Sequence, residues 1–342
     1  MEMILNTPPA KTYGWLRVNG TPVRAAVEHE AAPVGSLPAG VTETVTDAAP
    51  LPDVKTGAGA DTAALLAGLP KHVYRAEAGR EIAQPLRLRP VFDRPAAGCE
   101  LCFILPDETS LRAVVDCTGG LDTAALRITA ELGKNARLHL SLVQCLAEGV
   151  TFISDLGGRV DEGGKLSLVR LVLGGETTYD GCSVALAGSA AACEIDAGYR
   201  LGGRQKLDMN YEVVHTGQKT ACEIRAAGVL SGEAFKLLRG TIDLQHGCAG
   251  AVGNEIEDVL LMDETVRNQT VPVILCAEED VVGNHGATIG RLDEQLIYYL
   301  QSRGMERQAI YDMMARARID AVIRRIGDSE TVSALLGEEE QT

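Results

Sequence analysis

The feature that most constrains the fold is a long stretch of chain without proline. After Pro106 the next proline is Pro272, although glycines continue throughout. Proline cannot donate to the ladder of an interior strand, so its exclusion is typical of an extensive sheet. Apolar residues also alternate with polar ones here, as in Leu126, Ile128, Ala130 and Leu132, and again in Leu138, Leu140 and Leu142. We therefore predict a succession of half-buried strands.

The strand patterns recur as far as residue 226, with short turns between them and no intervening helical period. Many short strands without crossover helices are compatible with a sandwich, a closed barrel or a β-solenoid. The tetrapeptide Ala-Cys-Glu-Ile occurs at 192–195 and again at 221–224, which hints at stacked coils. The residues alone leave these three all-β folds open.

The segment before the strands differs in composition. Residues 21 to about 70 are rich in Ala, Pro, Gly and Thr, which predicts a loosely structured N-terminal arm. Within it, Asp61 to Leu69 could form one short helix with Asp61 as its N-cap. We expect Trp15, the only tryptophan, to anchor this arm.

The last fifty residues have helical periodicity. Leu292, Leu296 and Tyr299 share one face of a first predicted helix, which Gly304 is placed to end. A second helix is predicted from about 306 to 325, with an apolar stripe of Ile310, Met314, Ala317 and Ala321. We expect most of this stripe to pack within the chain and the acidic C-terminal end to fray.

Charge and cysteine content limit the class of protein. A formal net charge of -15 argues against nucleic acid and against an anionic membrane as partners. Nine cysteines, with no secretory or membrane-spanning pattern, predict a reduced, cytoplasmic protein. The sequence also has no phosphate loop, HExxH or GxSxG motif, so we expect neither a nucleotide of its own nor an enzyme.

Two candidate metal ligands follow from the residues. His285 lies between Gly283 and Gly286, which predicts an exposed imidazole on a turn that could bind a metal or instead bond to the backbone. Cys248 is separated from His246 by one residue and could offer a soft ligand, although a core or turn role is the alternative.

Two segments carry a resemblance to a known family. NHGATIGRLDEQLIYYLQSRG at 284–304 and EDVLLMDETVRNQTVPVILCAEEDV at 257–281 resemble the SufB/SufD family of SUF iron–sulfur cluster assembly scaffolds. The resemblance implies a mainly β fold with a right-handed parallel β-helix core at 84–288. An N-terminal region at 1–83 and a small helical domain at 289–342 would flank that core.

The resemblance also implies a function. Glu257 and Gly286 stand where SufB-type members have a cysteine and an acidic residue, so the chain looks SufD-like. Such a chain would be a scaffold that pairs through its β-helix with a SufB-type subunit or a second copy of itself. His285 would contribute to a transient iron–sulfur cluster or iron site at that interface, and Cys248 and Cys276 would be the nearest thiols to take the place of the missing cysteine.

In this family the C-terminal helical region docks a SufC-type ABC ATPase. The resemblance therefore assigns partner binding to this region of the chain, on the positions Leu292, Glu294, Leu296, Tyr299, Arg303 and Glu306.

Two further functions remain as alternatives. One is a carbohydrate-active β-helix lyase or hydrolase, for which Asp161-Glu162 or Glu278-Glu279-Asp280 would supply carboxylates. The other is a self-assembling structural solenoid, against which we expect the C-terminal helices to cap the stack.

Overall fold

The computed structural model describes residues 1–12, 14–51 and 53–338, and parallel strands dominate it. Six short strands come first: β1 (Glu2–Leu5), β2 (Thr21–Arg24), β3 (His29–Glu30), β4 (Pro33–Ser36), β5 (Val41–Thr46) and β6 (Lys71–Ala76). The strands that follow are β7 (Leu86–Leu105), β8 (Ser110–Leu132), β9 (Arg137–Leu146), β10 (Thr151–Val160), β11 (Lys165–Val172), β12 (Thr177–Leu186), β13 (Ala192–Leu201), β14 (Lys206–His215), β15 (Ala221–Leu230), β16 (Phe235–Leu244), β17 (Ala251–Leu261), β18 (Arg267–Cys276) and β19 (Val281–Gly290). The helices are α1 (Asp61–Leu65), α2 (Glu294–Gln301), α3 (Arg307–Ile323) and α4 (Ser329–Glu338).

From β9 to β17 each strand pairs in parallel with the strand two further along the chain. Lys165 pairs with Ala192, and Ala192 in turn pairs with Ala221, so one coil takes 27 and then 29 residues. Two sheets result, one made of β9, β11, β13, β15, β17 and β19 and the other of β10, β12, β14, β16 and β18. This is a parallel β-solenoid, and the predicted mainly β fold with a β-helix core is confirmed.

The core lies between the two sheets and consists of aliphatic side chains. The predicted alternation is confirmed at Leu126, Ile128 and Ala130, which are buried in one continuous apolar cluster. The repeated tetrapeptide stacks in register, with Cys193 opposite Cys222. The repeated sequence thus places identical side chains above one another in successive coils.

The N-terminal region is more regular than its composition suggests. Strands β5 and β6 form an antiparallel pair, and β6 joins the solenoid by pairing in parallel with β7. The segment around them lies on the outer face of the β10–β18 sheet, which we therefore call the arm-covered sheet. There the Asn6 side chain donates to Asp208 Oδ1 at 2.8 Å, and the Ala58 amide donates to Asp155 Oδ1 at 2.7 Å.

Two local predictions in this region are wrong. Trp15 is 79% exposed and does not anchor the arm. The neighbouring Val18 does so instead, because it packs against Leu237 and Val271 on the arm-covered sheet. The short helix forms, but its N-cap is Ala60, and Asp61 is its first residue.

The C-terminal helices lie along the outer face of the β9–β19 sheet, which we call the helix-covered sheet. Ile319 and Val322 of α3 belong to one apolar cluster with Val169 and Val229 of that sheet. Ion pairs fasten the helices to the coils, with Arg325 Nη1 3.1 Å from Asp196 Oδ1 and Arg87 Nη2 2.8 Å from Asp328 Oδ1. The expectation that the helices cap the stack is therefore wrong, because they cover its side.

The buried face of each helix also differs from the predicted stripe. In α3 the buried residues include Ile310, Ala315 and Ile319, while Ala317 and Ala321 are exposed. In α2 the buried residue is Ile297. The larger side chains gain more from burial, and they decide which face meets the sheet.

Helix α4 was not predicted, and the end of the acidic tail at 339–342 lies outside the described residues. Among the described residues, no helix is long and apolar enough to cross a membrane.

Candidate functional site

The last coil leaves one end of the solenoid open. The registers pair β18 with β16 and β19 with β17, and within the described residues they give neither strand a partner on its other side. Side chains that would be interior in an earlier coil are therefore accessible in this one. We call β18, β19 and the interior beneath them the open end.

His285 lies in the middle of β19, in a strand and not in the predicted turn. Val281 packs on the core, and a side chain at Gly283 would meet Ile274 and Leu244 of the same interior. Since side chains alternate along a strand, His285 belongs to this inward face. It is exposed only because no coil follows, and the described residues give its side chain no hydrogen bond or ion pair.

A buried polar cluster lies beneath the open end. The Lys236 ammonium contacts Glu257 Oε1 and lies 3.0 Å from Thr270 Oγ1. The Thr270 hydroxyl donates to Glu257 Oε2 at 2.6 Å, and the Tyr199 hydroxyl donates to Glu257 Oε1 at 3.3 Å. Burial lowers the pKa of Lys236, and the Glu257 carboxylate acts against that shift. The Glu257 carboxylate is thus bound by side chains of this same chain.

Glu255 is a second inward carboxyl group in the same strand and is only 3% exposed. Its Oε2 has no hydrogen-bond partner among the described residues. Burial, followed by the charge of Glu257, raises the pKa of Glu255 to about 7. In the ladder, Glu255 is directly in register with His285. The structure therefore brings a buried carboxyl group next to the predicted histidine.

Cys248 occupies a different part of the coil, in the turn between β16 and β17. It is buried, and burial raises the pKa of its thiol. The exposed Cys276 donates its thiol to the Glu278 carbonyl at 3.1 Å, and His246 Nδ1 lies 3.8 Å from Glu278 Oε2. In the described part of the chain, no group of three or more His, Cys, Asp or Glu side chains is arranged to hold a metal ion. Any metal at His285 would need additional ligands.

The apolar residues predicted to bind a partner divide into two kinds. Leu292 is buried in the apolar cluster that α3 forms with the helix-covered sheet. Leu296 and Tyr299 are exposed, and Tyr299 is 53% accessible, with the Arg303 guanidinium 5.2 Å from its ring centre. The exposed pair remains available to another protein.

The charged residues predicted to bind a partner are also on the surface. Glu294 Oε1 lies 2.7 Å from Arg307 Nη2, which links the start of α2 to the start of α3. Glu306 is exposed and precedes the first residue of α3. With Arg303 they form a polar border around the exposed side of α2.

Sequence reasoning missed Glu255 and Lys236. In β17 the apolar pattern suggests that Ile256 is buried, yet Ile256 is 52% exposed and both flanking glutamates are inside. The stacking of Ala251 and Val259 on the core fixes this orientation. The small or aliphatic residues at alternate positions of β17 were the sequence signal that could have shown which face of this strand is inward.

Known proteins similar to this chain match it over the region of the solenoid. The SUF system FeS cluster assembly SufBD core domain matches residues 98–318, which is more than half of the chain. The iron–sulfur cluster assembly protein SufD of Bacillus subtilis is 27% identical over 213 residues, covering 56% of this chain and 46% of that protein. An iron–sulfur cluster assembly SufBD family protein of Mycobacterium leprae is 24% identical over 192 residues, covering 56% of this chain and 22% of the relative. The chain thus spans less than half the length of these relatives.

A parallel β-solenoid with one open end and helices along one side defines a β-helix protein with a C-terminal helical layer. The chain belongs to the SufBD family of the SUF iron–sulfur cluster assembly system, and the predicted resemblance is confirmed.

Proposed function

We propose that this protein is a SufD-like scaffold subunit of the SUF iron–sulfur cluster assembly complex. The observation that carries the proposal is the open end, where His285 stands in register above a buried carboxyl group. The SufD-like assignment has a structural reason. Where a SufB-type member would offer a thiolate, this chain has Glu257, and Lys236 and Thr270 already bind that carboxylate.

Pairing with a second scaffold would take place at the open end. Edge strands present unpaired backbone donors and acceptors, which a strand from another chain can satisfy. Three apolar side chains near this edge, Val252, Ile256 and Val282, are also exposed. We propose a SufB-type subunit as the partner, and a second copy of this chain as the homodimeric equivalent.

Docking of a SufC-type ATPase would take place on the C-terminal helices. Leu296, Tyr298 and Tyr299 form an exposed apolar surface on α2, and α2 follows the open end directly in the chain. Ion pairs from Arg318 to Asp258 and from Arg325 to Asp196 connect α3 to the coils. Movement of the helices by the ATPase would thus act on the sheet that contains His285.

In this proposal the chain positions its cargo and catalyses no reaction of its own. An iron–sulfur cluster or iron would be held transiently between subunits, and ATP would be consumed by the partner. All nine cysteines are free thiols, which suits the reducing cytoplasm.

Carbohydrate cleavage receives no comparable support. Glu162 is in an exposed turn and pairs with Lys134 at 2.9 Å, and Glu278 accepts the Gly247 amide at 2.9 Å. Both candidate carboxylates are engaged in local turn contacts, so we do not propose a lyase or hydrolase.

Co-purification tests the proposal. The tagged chain is co-expressed with a SufC-type ATPase and a SufB-type scaffold, and we expect all three to elute together. Leu296→Asp with Tyr299→Asp should remove the ATPase and retain the scaffold partner. Val45→Asp, at an equally exposed apolar position on β5, is the matched control and should change nothing. Failure of the unmodified chain to retain either partner would refute the scaffold role.

A further inference from the structure

A cavity of about 390 Å³ lies between the N-terminal arm and the strands that continue the arm-covered sheet, β6, β7 and β8. Its walls come from the loop at 47–51 and from α1 with the turn after it, and most wall residues are alanine, glycine or proline. The floor consists of polar side chains of the strands, namely Lys71, Glu100, Arg127 and Thr129. The wall residues Ala63 and Ala67 are exposed, so the cavity is open to solvent. Its volume is typical of a small-molecule site.

Three charged side chains of the floor are neighbours on adjacent parallel strands. Lys71 is in register with Glu100, and Glu100 is in register with Arg127. The Lys71 ammonium lies 4.0 Å from Glu100 Oε2, and Arg127 Nη1 lies 2.6 Å from Glu100 Oε1. The side chains of Lys71 and Arg127 are only 10% and 12% exposed, so solvent does little to screen their charges. Among the described residues, Glu100 is the carboxylate that both cations share.

The next residue of this row does not supply a second carboxylate to Arg127. Asp155 on β10 is in register with Arg127. However, Asp155 Oδ1 accepts the Ala58 amide at 2.7 Å, and Asp155 Oδ2 accepts the Thr62 hydroxyl. Both oxygens are thus bound to the arm, and within the described residues no hydrogen bond joins Asp155 to the Arg127 guanidinium.

The Arg127 guanidinium keeps one hydrogen-bonding edge unused. Its Nη1 donates to Glu100, whereas its Nε is buried and has no partner in the described part of the chain. The Nη2 group lies on the same side of the guanidinium as the Nε–H and also makes no hydrogen bond there. A buried N–H without an acceptor is costly, and the Nε–Nη2 edge matches the two oxygens of a carboxylate or a phosphate.

We propose that the cavity under the arm binds the oxyanion group of a small molecule, a carboxylate or a phosphate, on the Nε–Nη2 edge of Arg127. The Lys71 ammonium, which shares Glu100 with Arg127, adds a second positive charge to the site. The small side chains of the walls leave room for the rest of the ligand. A bound molecule would join the arm to the sheet, and neither the scaffold role nor its partners enter this inference.

Equilibrium dialysis of the isolated full chain tests the site. The probes are benzoate and phenyl phosphate, which share a phenyl body and differ in the oxyanion, with benzyl alcohol as the uncharged control. We expect one molecule of benzoate or phenyl phosphate per chain and no retention of benzyl alcohol. Whichever probe binds more tightly identifies the ligand as a carboxylate or a phosphate.

Arg127→Lys tests the bidentate edge. It retains the positive charge beside Glu100 but removes the Nε–Nη2 pair, and should lower the affinity about tenfold or more. The matched control is Arg159→Lys. Arg159 is exposed on the same face of β10 as Asp155 and does not line the cavity, so its replacement should leave the affinity unchanged.

A second pair of variants leaves the charged row untouched. Ala67→Leu narrows the cavity from its wall and should weaken binding of both probes. Ala64→Leu is the control, because Ala64 is also exposed in α1 but does not line the cavity. Since both alanines are exposed, neither change disturbs the apolar core.

Four results would overturn the inference: retention of neither probe, equal retention of benzyl alcohol, unchanged binding in both Arg127→Lys and Ala67→Leu, or an equal loss in Arg159→Lys. The bound probe should also slow hydrogen exchange in the arm at 61–69, and unchanged exchange there would place the probe elsewhere. The experiment uses neither the ATPase nor a second scaffold. A chain that binds the probe but no partner would refute the SUF role alone, and a chain that assembles but binds no probe would refute this site alone.

Discussion

Glu255 and His285 are opposite one another on the last two strands of the helix-covered sheet, and both belong to its inward face. In an earlier coil such a pair would be sealed inside the solenoid by the next strand. Here the stack ends, so the imidazole is accessible while the carboxyl group below it stays buried. The open end is therefore where we propose both subunit pairing and transient cluster binding.

The first prediction concerns the pH dependence of stability through Glu255. Its pKa is raised from 4.5 to about 7 in the folded chain, so the folded state holds the proton more tightly than the unfolded state. The free energy of unfolding is therefore highest, as far as this group is concerned, below pH 4.5, and it falls as the pH rises to 7. Glu255→Gln should be more stable than the unmodified chain by about 3 kcal/mol at pH 8, with little difference at pH 4.5.

Urea denaturation with a metal chelator present, repeated at several pH values, measures this difference. A gap between the two proteins that stays constant from pH 4.5 to pH 8 would contradict the buried, unpaired state of Glu255.

The second prediction concerns the buried Lys236–Glu257 pair, whose side chains are almost fully enclosed. Lys236→Met leaves the Glu257 carboxylate buried without its cation and should destabilise the fold by about 3–5 kcal/mol. The double variant Lys236→Met with Glu257→Gln should recover most of that loss. Lys134→Met, which breaks an exposed pair with Glu162, serves as control and should leave the free energy of unfolding almost unchanged. Equal losses of stability in Lys236→Met and Lys134→Met would contradict the prediction that burial makes the Lys236–Glu257 pair costly to break.

The third prediction concerns the attachment of α4. The Arg87 guanidinium donates to Asp328 and holds the pKa of that carboxyl group well below its usual range. Asp328 also accepts the Thr331 hydroxyl at 2.7 Å in the first turn of α4. Asp328→Asn should weaken both contacts, at a cost of about 1 kcal/mol, since Arg87 is half exposed.

Hydrogen exchange should therefore be faster in α4 of the Asp328 variant and unchanged in β9 to β16. Because the carboxyl pKa is depressed, its contribution is present at neutral pH and is lost as the pH falls below about 4. Arg204→Gln, which removes a largely exposed pair with Glu233, should leave α4 exchange unaltered. Uniform protection of α4 in all three proteins would rule out this attachment.

Local regularity explains how much of the fold the sequence predicts. Strand alternation identified Leu126 and Ile128 as inward residues, and the tetrapeptide repeat anticipated the stacking of Cys193 on Cys222. Both depend on residues close in sequence or on one coil repeating the next. The long-range contact from Asn6 to Asp208, 202 residues away, has no such local signal.

The candidate site could be predicted from the sequence less completely than the fold. His285 could be identified from its flanking glycines and from the family resemblance. Its strand neighbour Glu255 could not, because the alternation of β17 favours Ile256 as the buried residue. Which side of that strand faces inward is decided by packing on β15 and β16, and hydrophobicity within the strand does not report it.

The most direct test of the central claim is iron–sulfur reconstitution on the assembled complex. The chain, a SufB-type partner and a SufC-type ATPase are purified together, supplied anaerobically with iron and sulfide, and followed by visible absorbance. We expect cluster absorbance only when all subunits are present, and its loss in His285→Ala with the complex still intact. An undiminished cluster yield in the assembled His285→Ala complex would contradict the account.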